Sequence, residues 1–200
     1  MLDTEPLAAD EEAPGRPFTR LERTVADLEA VERLRAALRR RLRAGKRAGT
    51  WPEGGDRHWL VAPVAGRLLD GGPVAGVGFF GEARTDVDHE PIVRLEHELL
   101  GRATSFPALV SYHNVRFANG QWGNLVTFAD AQGAGQVRAD PAHDEALSRT
   151  AAHYHSVRLH RLRLPDGPAG TSRAELLETL LLDFDGSPAW RGLRPARADL

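Results

Sequence analysis

The 200-residue sequence predicts an α+β fold. Three observations carry this. Short apolar runs alternate with helix-period apolar stripes from Val74 to Leu164. Asn119–Gly120 gives a hairpin signal between two such runs. Pro91 and Pro141 stand where two helices should begin.

Residues 1–17, acidic and without apolar periodicity, read as a disordered tail. Leu21, Val25, Leu28, Val31, Leu34, Leu38 and Leu42 then recur at spacings of three and four, which predicts an amphipathic helix. Arg39, Arg40, Arg41 and Arg43 suit its C-terminal end, where cations meet the helix dipole. TWPEGGD reads as a loop, and HWLVAPVAGRLL as a short or edge strand interrupted by Pro63. These form an extension over 18–72, closed by the turn at Asp70–Pro73.

The module itself spans 73–165. VAGVGFFGEAR (Val74–Arg84) is a Gly-rich strand, Asp88–Ala103 a helix with Ile92, Leu95 and Leu99 on one stripe, and Ala108–Phe117 a strand. Trp122–Asp130 returns from the hairpin, Pro141–Ala152 is a helix and His153–Leu164 the last strand. The order β-α-β-β-α-β is the ferredoxin-like plan. Over 166–200, Ser172 and Glu175 read as a capping box before LLETLLLDF, predicting a C-terminal helical extension.

A four-stranded sheet with both helices on one face leaves the other face open. Neither face of the middle strands is cleanly polar: Val110, Tyr112, Asn114 and Arg116 alternate with Leu109, Ser111, His113 and Val115. Both faces therefore read as buried, which points to a homodimer pairing sheet to sheet.

Composition bounds the function. With no cysteine, disulfides, thiolate metal sites and a cysteine nucleophile are excluded. A net charge of −2 offers no basic field for nucleic acid or a membrane surface. The absence of a signal-like N-terminus and of a bilayer-length apolar run gives a cytoplasmic expectation.

WGNLVTFAD…DPAHDEAL…YHSVRLHR resembles the C-terminal half of the dimeric α+β-barrel superfamily, which includes antibiotic-biosynthesis monooxygenases, stress-responsive barrel proteins and polyketide cyclases of the olivetolic-acid type. The resemblance covers Val74–Leu164. It implies a dimeric barrel whose small organic substrates lie between sheet and helices. In the cyclase branch an H-P-x-H segment opens the second helix and its last histidine faces the pocket; here that histidine is His143, Asp140 replaces the first, and Val137 stands where the cyclase has its tyrosine. Tyr112 is the substitute on the neighbouring strand. The haem-degrading branch places its ligand one turn further on, where this chain reads Asp144, Glu145, Ala146 and Leu147.

The resemblance thus implies a small-molecule enzyme: cofactor-independent monooxygenation, or acid–base chemistry on a phenolic or polyketide-like substrate. The catalytic candidates are His143, His113, Asn114 and Tyr112; the substrate-binding candidates are Trp122, Arg116, Arg158 and Phe80. No cofactor and no metal are expected. The alternatives are a haem-binding protein and a non-catalytic dimeric binding protein. An RNA-binding module shares the element order but needs stacking aromatics where Gly123 and Leu125 stand.

Two motifs read more plainly than they look. GVGFFG matches a dinucleotide fingerprint letter for letter but lies inside a strand, so close approach of another group explains its glycines better. His153 and His155 read as one face of a strand, a weak metal pair without a third ligand. Arg158, once buried, needs a carboxylate or a substrate anion.

Overall fold

The computed structural model describes residues 3–63 and 65–197. Residues 1–2 of the expected tail, residue 64 of the expected strand after the loop, and residues 198–200 of the expected C-terminal extension lie outside the described residues.

The module forms as the sequence predicts. β4 (Val74–Ala83), α2 (Glu90–Gly101), β5 (Leu109–Arg116), β6 (Trp122–Phe128), α4 (Pro141–His153) and β7 (Tyr154–Leu164) follow in βαββαβ order. The four strands lie as β7-β4-β6-β5, all antiparallel, which is the ferredoxin-like arrangement. The local signals hold: Pro91 and Pro141 open their helices, Asp140 caps α4 by accepting from the Ala142 amide, and Gly120 takes the positive φ that the hairpin turn requires. A short α3 (Gly133–Arg138), not foreseen, fills the link between β6 and α4.

The sheet continues past both edges to nine strands. β2 (Gly49–Glu53) and β3 (Asp56–Val61) form a hairpin beside β5. The expected loop TWPEGGD is therefore mostly strand, turned at Gly54 and Gly55, both at positive φ. β8 (Glu175–Asp183) and β9 (Trp190–Pro195) continue from β7, and β1 (Glu5–Pro6) lies parallel to β9.

β8 corrects the expected C-terminal helix. The exposed edge of β7 offers a row of backbone donors and acceptors, and pairing with it overrides the helix propensity of LLETLLLD. Leu176 and Leu181 face inward while Leu177 stays 53% exposed. The capping box does not form, because the Ser172 amide and carbonyl are taken by Asp166 and Arg35, and Glu175 pairs with Arg163 across the sheet.

The acidic N-terminus is ordered where a disordered tail was expected. Leu7 and Phe18 bury against Leu181 and Trp190, and the buried Arg194 donates to the Glu11 and Thr19 carbonyls. These few apolar anchors outweigh the surrounding acidic composition.

α1 (Leu21–Arg43) decides the architecture. α2 and α4 cover one face of the sheet, with Leu99, Ala103, Phe106 and Ala142 on Leu109 and Phe128. α1 covers the other face: Val31 and Leu34 pack on Phe80, Val115, Leu125 and Leu162, and Leu38 packs on Leu60 and Val110. The open face from which a sheet-to-sheet homodimer was expected is thus closed by the chain's own helix. Burial of Val31 and Leu34 contributes on the order of 1.5–3 kcal/mol each. The buried stripe differs from the expected one, since Val25 is 38% exposed and Thr24, Asp27 and Arg35 point inward.

Asp27 explains that shift. Its carboxylate accepts from Arg158 Nε at 2.6 Å and Nη2 at 3.1 Å, and lies 2.9 Å from His160 Nε2. The Thr179 hydroxyl stands 2.9 Å from His160 Nδ1. With Asp27 ionised, His160 Nε2 holds the proton and Nδ1 accepts from Thr179. This supplies the carboxylate that a buried Arg158 requires. Along β4, glycines give clearance rather than a nucleotide loop: a Cβ on Gly81 would sit 2.5 Å from the Tyr154 ring, and one on Gly78 would sit 3.5 Å from Val31 of α1.

Asp27→Ala would strand Arg158 and His160 in the interior and is expected to cost about 3–5 kcal/mol in urea unfolding. A loss under about 1 kcal/mol would show that apolar contacts alone hold α1. Burial opposes ionisation of Asp27, but hydrogen bonds from His160 and Arg158 lower its pKa below 3.8 overall. Its contribution is therefore present above pH 3.8 and lost as pH falls through the lowered value.

Candidate functional site

Strand alternation splits the expected catalytic residues between the two faces of the sheet. Tyr112 and Asn114 project from β5 toward α2 and meet Glu96 there. Tyr112 Oη donates to Glu96 Oε1 at 2.7 Å, Asn114 Nδ2 donates to the same oxygen at 2.8 Å, and Asn124 Nδ2 of β6 donates to Tyr112 Oη at 3.0 Å. Trp59 of β3 is the register partner of Asn114, and its ring meets His97 of α2 edge to face at 4.7 Å. The group is a relay from amide to phenol to carboxylate.

Its electrostatics follow from burial. Desolvation raises the Glu96 pKa above 4.5, outweighing the Tyr112 hydrogen bond that lowers it. Desolvation, then the adjacent Glu96 charge, pushes the Tyr112 phenol well above 10, so it stays a proton donor. A void of about 10 Å³ beside Tyr112 is walled by Leu99, Leu100, Phe106 and Val126.

His113 points the opposite way, under α1. Its Nε2 lies 3.2 Å from His58 Nδ1, the His58 ring stacks on Trp51 at 5.0 Å, and the Arg41 guanidinium covers Trp51. His113 is 1% exposed, and burial, then the neighbouring His58, lowers its pKa to about 3. His143 stands in the first turn of α4, apart from both groups. Burial and then Arg138 lower its pKa, and its Nδ1 is buried without a hydrogen-bond partner.

Of the expected substrate contacts, Phe80, Trp122 and Arg158 line one cleft of about 430 Å³ on the α1 side of the sheet, together with Phe117 and the Arg23–Arg33 face of α1. Arg116 lies outside that lining, its guanidinium 5.6 Å from the Trp122 ring centre. The paired-histidine reading is corrected: His153 ends α4 beside His89, while His155 is the second residue of β7 and is held by Asp185 at 3.0 Å. Among the described residues no group of three or more His, Asp or Glu has a metal-holding arrangement, and no helix is long and apolar enough to cross a membrane.

Glu96, Asn124 and Asp27 were not foreseen. Glu96 had a signal, since it falls four residues after Ile92 and three before Leu99, on the apolar stripe of its helix. Asp27 had a weaker one, lying three residues after Thr24 and four before Val31.

The neutral His58–His113 pair has a measurable consequence. His113 titrates near 6.5 when unfolded and near 3 when folded, so the unfolded state takes up its proton first. Stability is full above pH 6.5 and is expected to fall by up to about 1.4 kcal/mol per pH unit below it from this residue. His113→Phe should flatten that slope in urea unfolding at mildly acidic pH; an unchanged slope would show that the pair does not carry it.

No protein-family model matches the chain, and no curated protein matches it. Among solved structures it is similar to a monooxygenase candidate from Lactobacillus acidophilus NCFM, with a TM-score of 0.43 and 13% identity over 59% of this chain and 54% of that one. It is also similar to a mutant of SnoaB, a cofactor-independent oxygenase from Streptomyces nogalater, with a TM-score of 0.36 and 12% identity over 50% of this chain and 93% of that one. A third, a major regulator of staphylococcal pathogenesis, gives a TM-score of 0.33 and 18% identity over 46% of this chain and 58% of that one. The chain spans about half the length of the first of these structures.

Proposed function

We propose that the protein is a small-molecule enzyme on a ferredoxin-like α+β sheet, acting without an organic cofactor on a phenolic or enolisable substrate at the Glu96–Tyr112–Asn114–Asn124 group. The observation that carries this is a buried carboxyl with a raised pKa, held by a phenol and an amide from the facing strand. A general base works best when its pKa lies close to the working pH, and burial moves a carboxyl in that direction.

The chemistry follows from the donors. Glu96 takes the substrate proton, and Tyr112, itself held protonated, turns its one O–H from Glu96 to the developing oxyanion. Asn124 orients the Tyr112 oxygen, and Asn114 keeps Glu96 in place. The deprotonated substrate is then an electron-rich carbon nucleophile toward oxygen or a carbonyl. The void of about 10 Å³ beside Tyr112 has room for about one water, so a substrate at this group requires the Leu99–Phe106 wall to move. His143 is the second candidate base, on the strength of its unpartnered Nδ1. Sheet-to-sheet pairing of two copies would require α1 to leave the face it buries.

Anthrone tests this in two ways. Oxygenation converts its CH2 to C=O, with one atom of O2 retained and the other released as water. The preceding proton removal appears separately as exchange of the CH2 hydrogens in D2O. Wild-type protein should accelerate the exchange, and Glu96→Gln should lower it about 10²–10⁴-fold. The acid limb of the rate should rise through the raised Glu96 pKa, above 4.5, because the base must be ionised. Loss of exchange in His143→Ala but not in Glu96→Gln would move the base to His143. No acceleration by the wild type would overturn the assignment.

A further inference from the structure

The cleft on the α1 side of the sheet lies outside the acid–base group and is separated from it by the sheet. Its volume of about 430 Å³ falls within the range of roughly 300–1,000 Å³ that small-molecule sites occupy. The sequence of α1 makes the space. Arg23, Ala26, Asp27, Ala30 and Arg33 follow at spacings of three, one, three and three, so they share one face of the helix. Ala26 and Ala30 are methyl-sized where flanking turns carry larger side chains, and the gap above Phe80 remains unfilled.

The walls specify chemistry. Phe80 comes from β4 and Phe117 directly follows β5, and their rings meet over Gly123, on the face of the sheet that the cleft lies on. Charge is arranged along the helix side. Arg158 is fixed at 4% exposure with two nitrogens engaged by Asp27, while its Nη1 has no hydrogen-bond partner and stands 3.8 Å from Glu82. Arg23 stands 3.9 Å from the same Glu82. Arg33 is exposed and has no partner among the described residues. The acids of the lining are already engaged, Asp27 by Arg158 and His160, and Asp56 by the Ala118 amide. Asp27 and Glu82 stand against Arg158 and Arg23, so Arg33 is the one guanidinium of the lining that faces no acid among the described residues. A single negative charge matches that one guanidinium, whereas a dianion would add repulsion from Asp56 and Glu82.

We propose that this cleft is a binding site for a planar aromatic monocarboxylate, its ring against Phe80 and Phe117 and its carboxylate on Arg33. The neutral ring system supplies the apolar burial, and the exposed guanidinium supplies a fork for the anion without first breaking an ion pair.

Calorimetric titration tests it with 2-naphthoate, against 2-naphthol, which lacks the anion, and cyclohexanecarboxylate, which lacks the aromatic plane. The expected result is saturable one-to-one binding of 2-naphthoate, with both comparators at least about tenfold weaker. Arg33→Gln should weaken 2-naphthoate about tenfold. Ala26→Trp, at an exposed helix position, should fill the cleft and abolish binding with near-UV circular dichroism otherwise preserved. Glu96→Gln should bind as the wild type does, which separates this site from the acid–base group. Equal binding by cyclohexanecarboxylate, or binding unaffected by both Arg33→Gln and Ala26→Trp, would overturn the proposal.

Discussion

The contact between Asp27 of α1 and Arg158 and His160 of β7 is the constraint on which the rest of the structure depends. It places three polar groups under a helix that must also bury Val31, Leu34 and Leu38. Removing charge from water is costly, and such a pair holds only with good geometry and no spare hydrogen-bonding capacity. Here both carboxylate oxygens, two guanidinium nitrogens and both imidazole nitrogens are engaged. Only Arg158 Nη1 is left over. The pairing fixes the rotation of α1, because a one-residue turn of the helix would take Asp27 about 100° away from Arg158.

Two further buried arginines act in the same way at the chain's extensions. Arg35, fully buried, binds Glu32, Asp166 and the carbonyls of Gly167, Pro168 and Ser172, so it ties α1 to the segment that leads into β8. Arg194 of β9 gathers the Thr19 carbonyl, the Thr24 hydroxyl and the Glu11 carbonyl, and holds the N-terminal segment against the far edge of the sheet. A guanidinium with five donors can satisfy several carbonyls at once, which suits segments with little apolar surface of their own. The arginine richness of the sequence therefore has a structural use at these three positions.

What could be read from the sequence was what is locally encoded. Pro91, Pro141, Asn119–Gly120 and the alternation along β5 and β6 each act within a few residues, and the elements that they mark formed as expected. β8 was not legible, because its leucines favour a helix and only the unpaired edge of β7 makes a strand better. The β2–β3 hairpin was legible in Gly54–Gly55 but was overlooked beside Pro52. At the candidate site, Tyr112 and Asn114 were found, but the carboxylate they serve lies on another element. Asp27 and Arg158 are 131 residues apart, a pairing that no local pattern announces. His113 was misplaced for a simpler reason: adjacent residues of a strand face opposite ways, so it could not join both of its neighbours at one site.

α1 thus takes the position that a second sheet would take in a barrel of two subunits, and the face beneath it carries a cleft rather than an interface. The most direct test uses the absence of cysteine from the chain. A Cβ built on Gly78 of β4 would lie 3.5 Å from Val31 Cγ2 of α1, so cysteines placed at both positions stand next to each other across the helix–sheet contact. In mildly oxidised Val31→Cys/Gly78→Cys protein the expected product is a bridge within one chain, migrating on a non-reducing gel as a species of 21.9 kDa. A bridge joining two chains would contradict the docking of α1 on its own sheet.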